Sequence, residues 1–241
     1  MRRSLWIGTA VLLFVVACGG SASGQNAPAP TAQADPLKTA YTTAMQARDW
    51  AGALNAAQQM VAAHATAEHL LLLGNAQLYS GASEDALATY ERALTQSQAE
   101  KPPQGKPLDE WKDAQSKIYT SKGNALLKLH RNADAVAAYT QAAELAKNPG
   151  VAYFNICAVL YNTGDVPNST VACRKTVAVD PANPNAWFVL GSDLYVDAKA
   201  DAQGKFLISP ECRQALEKYL ELAPNGPHAA DVKAMLDMSA K

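Results

Sequence analysis

Little in this sequence advertises chemistry. Its four cysteines and four histidines form no CxxC, CxxCH or HExxH arrangement, so no zinc, haem or thioredoxin-type site is written in it. No Ser/His/Asp constellation, carboxylate pair or phosphate loop stands out, and the chain reads as a non-enzyme with no cofactor and no metal. An excess of one charge is missing too. Lys plus Arg number 21 against 22 Asp plus Glu, which leaves no basic field for a phosphate backbone and excludes nucleic acid as a partner. The longest apolar run, Leu5 to Ala17, is thirteen residues, too short to cross about 30 Å of hydrocarbon as a helix. What remains is 241 residues, 49% hydrophobic and 7% aromatic, with enough material for a sizeable core.

The first segment reads as a targeting signal. Arg2 and Arg3 precede the apolar run, the layout of a secretory signal peptide over residues 1–24, or 1–17 if the chain is lipidated at Cys18. Val15-Val16-Ala17-Cys18 resembles a bacterial lipobox, whereas Ala22-Ser23-Gly24 fits ordinary cleavage, and both processing routes stay open. Residues 19–34 are Gly, Ser, Ala, Gln and Pro without apolar periodicity, a flexible linker. The mature chain is then an exported protein, periplasmic or anchored to the outer membrane as a lipoprotein. Membrane contact is expected only through that anchor. Export also places Cys157, Cys173 and Cys212 where thiols tend to pair.

From Asp35 onward, Ala- and Leu-rich segments have helical spacing and no strand pattern appears, so the body is predicted to be all-α. It repeats. Leu70, Leu73 and Gly74 are followed by Ala86, Tyr90 and Ala93; Tyr119, Gly123 and Leu126 by Ala135, Tyr139 and Ala142; Tyr153, Cys157 and Leu160 by Ser169 and Cys173. Trp187, Leu190 and Gly191 restart the pattern. Gly123 to Cys157 and Cys157 to Gly191 are both 34 residues, a period that signals stacked helical hairpins. The expected repeats are 34–66, 67–98, 116–149, 150–183 and 184–224, with a capping helix over 227–240 and eleven helices in all. Two stretches break the period: 96–112 adds about 15 residues and 196–210 adds 9, both expected as long loops.

With this period, Leu73-Gly74, Trp187-x-x-Leu190-Gly191 and Asp180-Pro181, the sequence resembles tetratricopeptide-repeat proteins over Asp35 to Pro224. The resemblance implies a right-handed α-solenoid of about five hairpins. In each hairpin Gly74 with Ala86, or Gly123 with Ala135, is expected to mark the close approach, while Tyr90, Tyr139 and Trp187 fill space between hairpins. The resemblance also implies that the first helices line a concave groove that binds a protein or peptide. Placed in register, that groove holds Lys38, Thr42, Met45, Leu71, Asn75, Leu78, Thr120, Asn124, Leu127, Phe154, Ala158, Tyr161, Phe188, Ser192 and Tyr195. Asn75 and Asn124 stand out, since an amide bonds both groups of an extended peptide backbone. So do Phe154, Tyr161, Phe188 and Tyr195 as aromatic anchors. A terminal-carboxylate clamp lacks its basic residues, because Leu71 and Thr120 stand at those sites.

Cys157 and Cys173 fall on facing helices of the fourth hairpin, which suggests a disulfide, with two buried thiols as the alternative. The functional expectation is a scaffold of a bacterial cell envelope, holding partner proteins along its groove. The alternative is a structural subunit of an envelope assembly. An enzyme or small-molecule-binding reading finds no residues to support it.

Overall fold

The computed structural model describes residues 35–100, 102 and 107–240; the signal peptide, the linker and Cys18 lie outside them. Eleven helices follow one another among the described residues: α1 (Pro36–Ala47), α2 (Trp50–Ala63), α3 (Ala67–Tyr79), α4 (Ser83–Glu100), α5 (Leu108–Lys128), α6 (Asn132–Leu145), α7 (Gly150–Asn162), α8 (Val166–Val179), α9 (Pro184–Tyr195), α10 (Pro210–Leu222) and α11 (Ala229–Asp237). They pair as five antiparallel hairpins, α1/α2 to α9/α10, with α11 covering the last. Helix starts are written locally. Asp35, Asp49, Thr66, Asp165, Asn183 and Ser209 each cap a first turn by accepting a backbone N–H with the side chain.

The four regular hairpin turns use one device. Arg48, Gly81, His130 and Gly164 each take positive φ seven residues beyond the central position of the first helix. The next residue then donates its N–H five residues back, as in Asp49 to Ala44, Ala82 to Gln77, Arg131 to Leu126 and Asp165 to Leu160, which satisfies helix-end carbonyls. Arg48 and His130 adopt a backbone region that glycine fills at lower cost elsewhere in the same fold.

Packing inside each hairpin follows a size rule at two facing positions. A Cβ on Gly74 would lie 2.4 Å from Tyr90 Cε1, one on Gly123 2.5 Å from Tyr139 Cε1, and one on Gly191 2.6 Å from Leu216 Cδ2. The first hairpin reverses the sizes, with buried Tyr41 and Ala57 at these positions. In the fourth, Cys157 and Cys173 occupy them and are joined by a disulfide with Cα atoms 5.1 Å apart. Tyr90 and Tyr139 thus pack on the glycines of their own hairpins and also belong to clusters that take in the next hairpin, as the repeat pattern suggested. Four residues before Tyr90, Tyr139, Cys173 and Leu216 stand Ala86, Ala135, Ser169 and Cys212, all fully buried. Ser169 Oγ donates to the Cys157 carbonyl and Cys212 Sγ to that of Gly191, 3.3 and 3.4 Å, so small polar side chains are satisfied there.

Buried residues of each hairpin pack with partly buried neighbours of the next, and side chains such as Val61, Leu87 and Trp187 touch two clusters each, so the core runs along the stack. Direct packing of α3 on α5 and of α7 on α9 puts the odd-numbered helices on the inner side of the curve.

Both period breaks differ from the expected long loops. The first is mostly helix: α4 has 18 residues and α5 has 21, where the other hairpin helices have 12 to 14. Pro107 precedes the α5 start, where a proline costs no helical hydrogen bond. The second break carries a minimal hairpin, β1 (Lys199–Ala200) and β2 (Phe206–Leu207), although no strand was expected. Phe206 pairs in turn with the chain end, its N–H donating to Met238 O while Ala240 N–H donates to its carbonyl. This ties the insertion to the cap.

One buried charge breaks the pattern. Asp193 is 1% exposed in α9, at the position that Ala76, Ala125 and Val159 hold in the preceding first helices. Thr170 Oγ1 donates to its Oδ2 at 3.5 Å, while Oδ1 has no partner among the described residues. Burial, against weaker hydrogen bonds from Ser169 and Thr170, holds its carboxyl above the ordinary range. A raised native pKa means that Asp193 favours folding while protonated, below the ordinary value near ~4, and that this stability is lost as pH rises through the native pKa. Asp193→Ala is expected to stabilise the protein at pH 7 by about 1–3 kcal/mol and to lose that advantage below about pH 4, as thermal melts across pH would show. Equal melting of both proteins at pH 7 would count against it.

Candidate functional site

The inner face is set by α3, α5, α7 and α9, and the residues expected there fall into two groups. Asn75, Leu78, Asn124, Leu127, Phe154 and Tyr161 lie on α3, α5 and α7 with part of each side chain accessible. Tyr161 is 37% exposed. Lys38 on α1 pairs with Glu68 on α3 at 2.7 Å, which closes the first-hairpin edge with charge.

Phe188, Ser192 and Tyr195 belong to the second group, against which later parts of the chain pack. The Phe188 ring stacks on His228 with centroids 3.8 Å apart and meets Tyr219 at 5.7 Å. Tyr195 packs on Phe206 at 5.5 Å and donates its hydroxyl to Met235 O. Ser192 is buried, and its hydroxyl has no hydrogen-bond partner among the described residues. Ser192 is therefore removed from the open groove, whereas Phe188 and Tyr195 are half-buried against the cap and the insertion. The cap and the β-hairpin fill that end, and sequence register had no means of seeing elements that lie 11 to 40 residues further on.

The asparagines have a role that the sequence reading missed. Tyr90 donates its hydroxyl to Asn75 Oδ1 at 2.8 Å, and Tyr139 donates to Asn124 Oδ1 at 2.7 Å. Both tyrosine rings are fully buried, so each hydroxyl needs an acceptor at the mouth of its hairpin. The signal was present in the sequence: Asn follows the glycine only where tyrosine stands sixteen residues after that glycine. Where Cys173 or Leu216 replaces tyrosine, the position carries Ala158 or Ser192.

Burial pushes Tyr139 up to about 12. Burial also raises Tyr41 to about 12, the Tyr79 hydroxyl adding to the shift and the Asn75 side chain opposing it, and Tyr90 moves further in the same direction, mainly by burial. The phenols thus stay neutral donors at physiological pH. With Oδ1 engaged, the Asn124 amide has a fixed orientation, and its Nδ2 donates to no group among the described residues. An oriented amide donor on α5, one turn from Leu127 and on the same inner face as Phe154 and Tyr161 of α7, is suited to a peptide carbonyl flanked by an apolar side chain.

Other candidates carry no chemistry. No group of three His, Cys, Asp or Glu able to hold a metal occurs among the described residues. His69 Nδ1 lies 2.7 Å from the His64 carbonyl, a local helix-start contact. Burial raises the Cys212 thiol to about 11, so it remains a protonated donor.

A family model for the tetratricopeptide repeat matches residues 42–102. Among solved structures, MamA aligns with 76% of this chain and 94% of its own, at TM-score 0.58 and 19% identity. YrrB, described as a TPR protein with an unusual peptide-binding site, aligns over 84% and 92%, at 0.55 and 17%. PilW, described as a widely conserved type IV pilus biogenesis factor, aligns over 84% and 87%, at 0.60 and 14%. Identities of this size speak for a shared fold. No curated protein matches the sequence.

Proposed function

We propose, for a chain that carries tetratricopeptide repeats and folds as their solenoid, the role of a non-enzymatic interaction scaffold of a bacterial cell envelope. It binds an extended protein segment on α3, α5 and α7. The observation that carries this reading is the Asn124 amide, oriented by a buried Tyr139 hydroxyl, with no acceptor for its Nδ2 among the described residues, on an inner face that also holds the partly accessible Phe154 and Tyr161 of α7. The peptide-binding site of YrrB and the description of PilW as a type IV pilus biogenesis factor lend the reading support from proteins of the same fold.

Export is supported by Arg2-Arg3 before the apolar run and by the Cys157–Cys173 bond, which needs an oxidising compartment to persist. In the lipoprotein form Cys18 carries the anchor. Among the described residues no helix is long and apolar enough to cross a membrane.

The test keeps the core intact. Asn124→Asp retains an acceptor for Tyr139 but removes the amide donor, and Tyr161→Ala trims an accessible side chain. In mild-detergent capture from the native envelope, the Asn124→Asp/Tyr161→Ala protein is expected to recover its partner at least about tenfold less than wild type. Its helicity and melting temperature are expected to be unchanged. In the same fractions, Cys18→Ser is expected to leave the membrane. Partners retained in full by the double variant would place the interaction outside the groove and favour a structural subunit bound through another face.

A further inference from the structure

The extra turns of α5 build a feature that the other hairpins lack. α3, α7 and α9 begin seven residues before Gly74, Cys157 and Gly191, whereas α5 begins fifteen before Gly123. Eight added residues extend it by about 12 Å past the start of its neighbours. Between this overhang, the end of α4 and the start of α3 lies a cleft of about 450 Å³. Its walls are apolar: Leu71, Leu72, Trp111, Ala114 and Ile118. Trp111 is held in place by its indole N–H, which donates to Ser97 O at 3.3 Å. The cleft opens beside Leu71, one of the inner-face positions.

Carboxylates surround the mouth. Glu68, Glu100 and Glu110 line the cleft against one cation, Lys117. Lys117 is already engaged by Asp113 at 3.0 Å, and Glu68 by Lys38. Glu100 accepts the Ala67 N–H, and neither it nor Glu110 forms an ion pair among the described residues. An occupant that buries a ring or a long aliphatic side chain on Trp111 therefore meets two carboxylates that have no cation among the described residues.

We propose that this cleft binds an aromatic or long aliphatic side chain of the partner segment with a lysine or arginine next to it. This deepens the groove reading and rests on it: the segment that lies along α3, α5 and α7 is anchored at its α3 end by an apolar-basic pair.

The test uses the full-length protein and capped synthetic hexapeptides in which phenylalanine is followed by lysine, by glutamate, or is replaced by alanine before lysine. The NMR signal of the Trp111 indole N–H reports the cleft, assigned through Trp111→Phe. The phenylalanine-lysine peptide is expected to shift that signal and to bind at least about tenfold tighter than either control. Ala114→Phe, at an exposed position on the wall, is expected to abolish the shift without loss of helicity. Glu110→Lys is expected to reverse the preference toward the phenylalanine-glutamate peptide.

Lys101 and Lys106 are the rival cations. If they hold these carboxylates, the lysine and glutamate peptides bind alike and the proposal falls. It falls equally if no peptide shifts Trp111 at about 1 mM, or if Ala114→Phe changes nothing. A silent cleft with partner capture still lost in Asn124→Asp/Tyr161→Ala overturns the anchor and leaves the groove standing. Failure of both overturns both.

Discussion

Reduction of the Cys157–Cys173 bond is expected to lower the melting temperature by about 6–12 °C, because a closed loop of this size is worth about 3 kcal/mol and a chain of this length shifts about 2–4 °C per kcal/mol. The damage is expected to be local. A hairpin in a stack contacts only its neighbours, so loss of the bond weakens α7/α8 and their faces toward α6 and α9. Hydrogen exchange with and without reductant would show it, as faster exchange in α7 and α8 and little change in α1 to α4. Uniform loss of protection along the chain, or none, would contradict this.

The fold itself suggests the repair. The Cys pair stands where two other hairpins place glycine against tyrosine, and Ala158 stands where those hairpins place the asparagine acceptor. Cys157→Gly, Ala158→Asn and Cys173→Tyr together are expected to restore most of the lost stability in reductant. The same triple change without Ala158→Asn leaves a buried hydroxyl seeking a partner and is expected to do worse by about 1–3 kcal/mol.

What could be read in advance was whatever the 34-residue period repeats. The hairpins and the positions of Cys157 and Cys173 recur at fixed offsets, and a recurring offset is a statement about neighbours in the same or the adjacent repeat. Tyr90 and Tyr139 join neighbouring hairpins as expected, but small-residue matching paired Gly74 with Ala86 and overlooked the ring that lies against the glycine. The prolines of 96–112 suggested a loop; Pro102 and Pro107 sit at or beyond helix ends, where helices on either side lengthen unhindered. The ring contacts of Phe188 with His228 and of Tyr195 with Phe206 were not foreseen, because these partners come from the cap and an insertion, which no repeat predicts. The helix packing was thus legible in the middle of the stack and less so at α9, where the cap and the insertion pack against it.

The size rule at the hairpin centre makes a further prediction, with a change of sign. Gly123→Ala puts a methyl group 2.5 Å from Tyr139 Cε1, and that ring cannot swing away: it is fully buried and its hydroxyl is bound to Asn124. The substitution is expected to cost about 1–3 kcal/mol as overpacking, against the roughly 1 kcal/mol that alanine ordinarily gains over glycine inside a helix. Tyr139→Ala alone opens a cavity and is expected to cost about 3–5 kcal/mol. In that background, however, Gly123→Ala meets empty space, so it partly fills the cavity and recovers helix propensity, and is expected to stabilise by about 1 kcal/mol. The first hairpin already uses alanine on the second helix, opposite Tyr41, so the backbone tolerates the exchange of sizes. A double-mutant cycle by urea unfolding is expected to give a coupling of at least about 2 kcal/mol. Additive effects would mean that the glycine answers to helix geometry alone and not to the ring across from it.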